Sequence, residues 1–237
     1  MTDSPTSQVL PPLKPVAPAW HTVIVLPVLL GFSFLGARQE NIPGISAYGR
    51  SGGYLLAMVM EWCTTAFIWY GVRRRGGQLR DLVGGRWAHF TDFLRDLGVA
   101  IAFMVVCGFG VINGVAHLLK AKTPPGIRNL LPQSPKEIAL YLLLALTAGF
   151  CEELIFRGYL QRQFAALTHA ASGGIVLQGI VFGAAHGYQG WKLMVAIAVF
   201  GITFGLLATW RRSLRPGMIA HFLQDGLVGL LGRHLIR

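Results

Sequence analysis

The chain has 237 residues, of which 53% are hydrophobic and 13% charged, and its mean hydropathy is +0.52. A soluble domain cannot bury that much apolar surface, so several bilayer-spanning helices are the expected way to house it. The net charge of +11 does not imply nucleic acid, because the basic residues fall in short clusters beside apolar runs. Arg73-Arg74-Arg75 follows one run and Arg211, Arg212 and Arg215 follow another, the placement of topology determinants against anionic lipid headgroups.

In chain order, residues 1–19 are Pro-rich and weakly charged, and read as a disordered tail rather than a cleaved signal peptide. Residues 20–237 read as a single integral membrane domain. Apolar runs follow near Trp20–Leu35, Tyr54–Val72, Leu97–Leu119, Ile138–Phe156, Gly173–Ala185, Leu193–Trp210 and Gly217–Leu231. Most approach the ~20 residues that cross a ~30 Å hydrocarbon layer. The expected fold is therefore all-α, a polytopic transmembrane bundle of about seven spanning helices, with six to eight as the range. The short fifth run is expected to be lengthened by polar neighbours packed inside the bundle.

Between the second and third runs, residues 78–96 interleave Leu79, Leu82, Val83, Trp87, Phe90, Phe93 and Leu94 with charges. That pattern suits an interfacial helix or two short ones. The basic loops near 73–96, 157–171 and 211–216 favour a cytoplasmic N-terminus, against the opposing Lys120, Lys122, Arg128 and Lys136. The stretch TPPGIRNLLPQSP reads as a turn-rich loop before the fourth run. Gly179-x3-Gly183 and Gly201-x3-Gly205 would let two helices approach closely. Cys63, Cys107 and Cys151 lie in or beside apolar runs without metal-ligand or disulfide spacing, so they read as packing residues. His117, His89 and His169 read as structural, and Asn113 is expected to hydrogen-bond across the bundle. Glu61, mid-span beside Trp62, is the least explained charge; it would pair with a basic group or face a cavity.

Ionisable groups inside spans cost roughly 2.5–3.5 kcal/mol each on insertion scales, so each needs a reason. They concentrate after residue 150, in Glu152-Glu153-x3-Arg157, Phe182-x3-His186 and His221-x3-Asp225. The i,i+4 spacing places Glu153 with Arg157, and His221 with Asp225, on shared helix faces. Glu152 would lie about 100° away from Glu153 and meet a different neighbour. Each pattern has a structural reading, as an ion pair or a satisfied polar pair. Together they assemble a carboxylate base, two imidazoles and a further carboxyl, the ingredients of a hydrolytic site.

In order and spacing these three motifs resemble the CAAX protease and bacteriocin-processing (Abi) family of intramembrane proteases, which includes the prenyl-protein endopeptidases. The resemblance covers roughly residues 130–232, with GFCEELIFRGYLQRQF its most specific stretch. It implies an endopeptidase acting on membrane-associated or C-terminal peptide substrates, lipidated or not, from a multi-pass position in the inner membrane among its lipids. It further implies that Glu152 activates water with help from His186, that His221 and Asp225 support the oxyanion, and that Glu153, Arg157 and Phe182 support the site. Where the family's prenyl-protein enzymes usually carry Asn, this chain has Asp225. An ionised Asp225 only accepts hydrogen bonds, so it would be protonated, orient His221 or bind a cation. The resemblance leaves a divalent metal open, with Glu152, His186 and His221 as the ligand set for zinc. Outside the resemblance, the same buried groups would also serve a proton-coupled transporter, and a non-proteolytic membrane scaffold or chaperone remains the third class.

Overall fold

The structure is a computed structural model that describes residues 14–37, 49–122 and 130–235. Eight helices and no strands are found among the described residues. They are α1 (Ala19–Ala37), α2 (Gly49–Arg73), α3 (Leu79–Val83), α4 (Phe90–Leu118), α5 (Pro135–Thr168), α6 (Ala171–Ala185), α7 (Trp191–Arg211) and α8 (Arg215–Leu235). All seven apolar runs fall on helices, so the chain is a helical membrane bundle. By length and composition α2, α4, α5 and α7 are long and apolar enough to cross a bilayer, while α1 and α6 are apolar but shorter in that sense.

Helix α5 is the axis of the bundle. Ser134 caps it by accepting a hydrogen bond from the Glu137 amide, and Glu137 in turn accepts from the Ser134 and Gln133 amides. Pro135 at the first helical position gives up no bond, since that amide would be unpaired anyway. Arg50 of α2 reaches across to Glu137 at 3.2 Å and to Gln133 at 2.9 Å, tying the two helices at this end.

Farther along, α5 widens into a π-helix over Glu153–Leu160, and every residue of that stretch is buried. The helix does not end near Phe156, as the hydrophobic run suggests; it continues to Thr168, so residues 157–168 are not a loop. The polar letters of QRQF mislead because each serves another element. Gln163 bonds both the amide and the carbonyl of Ala17, Gln161 donates to Gly205 O and Thr209, and Arg162 donates to Leu82 O.

The same Gln163 bonds reach the chain just ahead of α1. Residues 1–13 lie outside the described residues, but Ala17 is fully buried and pinned to α5. Behind it, His21 stacks on Phe67 at 3.9 Å and meets Tyr159 Oη at 3.1 Å, which fastens α1 to both α2 and α5.

Residues 78–96 hold one short interfacial helix, α3, and then the first turns of α4. The link between them runs beside the α7–α8 turn, where the Leu214 amide donates to Val83 O and Arg215 donates to Gly85 O. Asp96 joins in, accepting from Trp87 and from Arg211. One end of the bundle thus gathers residues from the sequence-distant basic clusters.

Helices α6 and α7 cross closely because of their glycines. A Cβ on Gly183 would lie 2.5 Å from Met194 O, and one on Gly201 would lie 3.2 Å from the Gly179 Cα. The small-residue spacing seen in the sequence is the crossing point itself. Helix α6 is not lengthened by polar neighbours. It has 15 residues, about 22 Å at 1.5 Å per residue, and stops at His186 before a 3₁₀ turn over Gly187–Gln189. Asn113 does not bond across the bundle; its amide folds back to Phe109 O of its own helix at 2.8 Å. The preceding π-helical stretch, Met104–Val111, keeps that turn of α4 on an exposed face.

Candidate active site

Helix α8 lies against the first half of α5 at Gly149. A Cβ there would sit 2.8 Å from Met218 O and 3.0 Å from the Phe222 amide nitrogen, so only glycine permits the approach. Gly217 does the same one turn on, where its face is filled by the Glu153 carboxylate. These two contacts bring His221 into the π-helical turn of α5.

Glu153 is the centre of the arrangement. Its Oε1 accepts from Arg157 Nη1 at 2.9 Å and from His221 Nδ1 at 3.0 Å, and the group is 1% exposed. Arg157 is equally buried. Its other nitrogen donates to Gly201 O, and its guanidinium lies 4.3 Å from the Phe182 ring centre and 4.7 Å from that of Phe204. An ion pair in so apolar a place is held by supplementary hydrogen bonds and aromatic faces rather than by Coulomb attraction alone. Phe182 also packs edge-on against Phe156 and lies against His186.

With Nδ1 donating to Glu153, His221 turns its Nε2 toward two further carboxylates. Glu152 Oε2 is 3.7 Å away and Asp225 Oδ2 is 3.6 Å away. Glu152 and Glu153 therefore meet opposite edges of one imidazole, not two different neighbours. The π-helical winding that starts at Glu153 turns by less than the 100° of an α-helix, and an imidazole offers nitrogens on two edges. Glu152 Oε2 is buried and has no hydrogen-bond partner among the described residues.

His186 stands at the edge of this group. Its Nδ1 donates to Phe182 O at 2.9 Å, the bond of a last helical turn, which leaves Nε2 as the free ring nitrogen. It is within electrostatic reach of Asp225. No hydrogen bond joins it to Glu152 among the described residues, so the pairing expected from the sequence gives way to a cluster around His221.

Glu61, on the neighbouring α2, lies within electrostatic reach of Glu152, His221 and Asp225, so it faces the cluster rather than a basic partner. Tyr188, from the 3₁₀ turn, reaches the same three carboxylates. Sequence reasoning left Glu61 either paired with a basic group or facing a cavity, and did not single out Tyr188. The one signal was the cost of an acidic residue at mid-span.

No group of three His, Cys, Asp or Glu side chains among the described residues is arranged to hold an ion. The trio Glu152, His186 and His221 does not form a ligand cage. Nδ1 of each histidine bonds an oxygen, and His221 Nε2 lies 3.6 Å from Asp225 and 3.7 Å from Glu152.

The model of the type II CAAX prenyl endopeptidase, Rce1-like, family matches residues 134–227. A curated relative, uncharacterized protein YpbD of Bacillus subtilis (strain 168), is 30% identical over 96 residues, 40% of this chain and 46% of the relative. The match thus spans less than half of the relative's length. No solved structure matches. Glu152, Glu153, Arg157, Phe182, His186, His221 and Asp225 all fall inside the matched segment. Over residues 134–227 the chain is similar to the type II CAAX prenyl endopeptidase, Rce1-like, family.

Proposed function

We propose that this protein is an intramembrane endopeptidase in which Glu152 is the general base. The observation that carries the reading is the convergence of Glu152 and Asp225 on His221, whose opposite edge is fixed by the buried Glu153–Arg157 pair.

Glu152 has a carboxylate oxygen with no partner, next to a histidine whose orientation is already set. A water at that oxygen gives up a proton to Glu152 as its oxygen bonds to the peptide carbonyl carbon. The resulting oxyanion accepts a hydrogen bond from His221 Nε2. Asp225, facing the same nitrogen, keeps the imidazole in its donor form, and of the three roles left open by the sequence its position favours orienting His221. Glu152 then returns the proton to the departing amide nitrogen as the C–N bond breaks, leaving a carboxylic acid and an amine, which exchange the remaining proton to become carboxylate and ammonium. His186, with Nδ1 held by Phe182 O, stands beside Glu152's water site and helps to keep it polar. No step calls on a metal, in keeping with the donor geometry.

The substrate class is a peptide segment at the membrane, with CAAX-like C-termini first among candidates because of the family match. The basic end formed by Arg211, Arg215 and the α3 segment supports a cytoplasmic assignment for that end of the bundle.

The test uses purified protein in nanodiscs and internally quenched peptides ending in a prenylated or unprenylated CAAX sequence, with a strong chelator present throughout. A parallel profile compares new peptide termini in membranes containing wild type or Glu152→Gln. Wild type is expected to cleave, and Glu152→Gln to lose ~10²–10⁴-fold in rate with an unchanged melting temperature. Cleavage by Glu152→Gln at the wild-type rate, or wild type that cuts nothing in either format, overturns the reading.

A further inference from the structure

Two carboxyl groups lie within 4.0 Å of His221 Nε2, and a third, within electrostatic reach of all three residues, lies outside the matched segment. Glu152 and Asp225 belong to residues 134–227, whereas Glu61 comes from the middle of α2. Its place is fixed by packing on either side. Trp62 stacks on Phe150 of α5 at 5.6 Å, and α2 runs along the first half of α5. Glu61 has no ion-pair partner among the described residues, and its Oε2 is buried without a hydrogen bond. Glu152 Oε2, 3.7 Å from His221 Nε2, is likewise buried without a hydrogen bond. The groups facing Glu61 are Glu152 and Cys151 on α5, His221 and Asp225 on α8, and Tyr188 in the 3₁₀ turn. None of these is a basic partner of the Lys or Arg kind.

Two buried carboxyl oxygens that lack hydrogen bonds and belong to groups within electrostatic reach of each other are satisfied together by a single water that donates one hydrogen to each. The oxygen of that water then keeps its lone pairs for a carbonyl carbon. We propose that Glu61 is a positioning residue that holds the attacking water jointly with Glu152, through an acceptor oxygen supplied by α2. This deepens the endopeptidase reading and rests on it. Glu152 takes the proton; Glu61 fixes where the water sits. A consequence is that α2, outside the family-matched segment, completes the site.

The role requires an acceptor oxygen and no particular charge, so glutamine should serve where leucine cannot. In the quenched-peptide assay, Glu61→Leu is expected to lower kcat by ~10- to 100-fold with KM within about twofold, the pattern of a lost orienting contact. Glu61→Gln is expected to recover to within about fivefold of wild type, since its side-chain carbonyl still accepts. Thermal melts separate folding from function, because Leu at a mid-span position is compatible with the bundle. Wild-type kcat in Glu61→Leu overturns the inference, and so does equal loss in Leu and Gln variants. If Glu152→Gln is inactive while Glu61→Leu is fully active, only this inference falls. If Glu152→Gln is active, the underlying reading falls as well.

Discussion

Replacing Glu153 by leucine removes the one oxygen that joins Arg157 to His221. Glu153 and Arg157 are 1% and 2% exposed, so solvent does not screen what is left behind. The guanidinium keeps its bond to Gly201 O and its two aromatic faces but loses its only carboxylate at hydrogen-bond distance. Breaking a buried pair from one side costs about 3–5 kcal/mol, because an uncompensated charge stays in the apolar interior. For a chain of this size each kcal/mol moves the melting temperature by roughly 2–4 °C. Glu153→Leu should therefore melt about 6–20 °C below wild type. Removing the stranded charge as well, in Glu153→Leu/Arg157→Met, should restore most of that loss, since two apolar groups of similar size replace the pair. Activity should not return. His221 still lacks the acceptor that fixes its ring, and losing such an orienting partner typically costs 10- to 100-fold. Differential scanning fluorimetry in detergent and the quenched-peptide assay read the two effects separately. A single variant that melts within about 2 °C of wild type would refute the electrostatic argument, as would a double variant no more stable than the single.

The α6–α7 crossing makes a sharper structural test. Gly183→Val places a Cβ 2.5 Å from Met194 O and 2.9 Å from the Ala198 Cα, both backbone, and should cost at least 1–3 kcal/mol, whereas Gly31→Ala, with nothing within 4 Å, should melt within about 2 °C of wild type. A tolerated Gly183→Val would contradict the close crossing. For topology, a fluorescent-protein fusion truncated after Arg75 should fluoresce, and a periplasmic phosphatase fused after Lys122 should be active, as a cytoplasmic N-terminus requires. The reverse pattern would invert the bundle.

Much of the architecture is legible because the bilayer is a demanding solvent. Each apolar run had to become a helix, since unsatisfied backbone cannot sit in hydrocarbon. The same rule does not reveal where a helix ends when its polar residues have private uses. Gln161, Arg162 and Gln163 look like solvent-facing letters, yet they bond Gly205 O, Leu82 O and Ala17. Their partners are backbone groups 44, 80 and 146 positions away, beyond the reach of any local pattern. Ala17 is the complementary case: its backbone is claimed by the Gln163 side chain of α5, a partner that the local pattern does not reveal.

The site shows a similar division. The i,i+4 pairs Glu153–Arg157 and His221–Asp225 could be read from helix geometry, and both are within 4.0 Å in the structure. What the spacing concealed is that His221 is shared. Gly149 and Gly217 admit α8 against α5 closely enough for one imidazole to meet Glu153 on one edge and Glu152 and Asp225 on the other. A glycine is visible in a sequence, but the backbone it will face is not. This sharing also gives Asp225 a physical context. Asparagine there could offer a donor of its own; aspartate instead faces the His221 nitrogen that Glu152 also faces, so donation must come from the imidazole. In the proposed mechanism, oxyanion stabilisation then falls on His221, and its orientation by Glu153 matters more. A carboxylate at position 225 and a buried acceptor at position 153 are, in that sense, two halves of one arrangement.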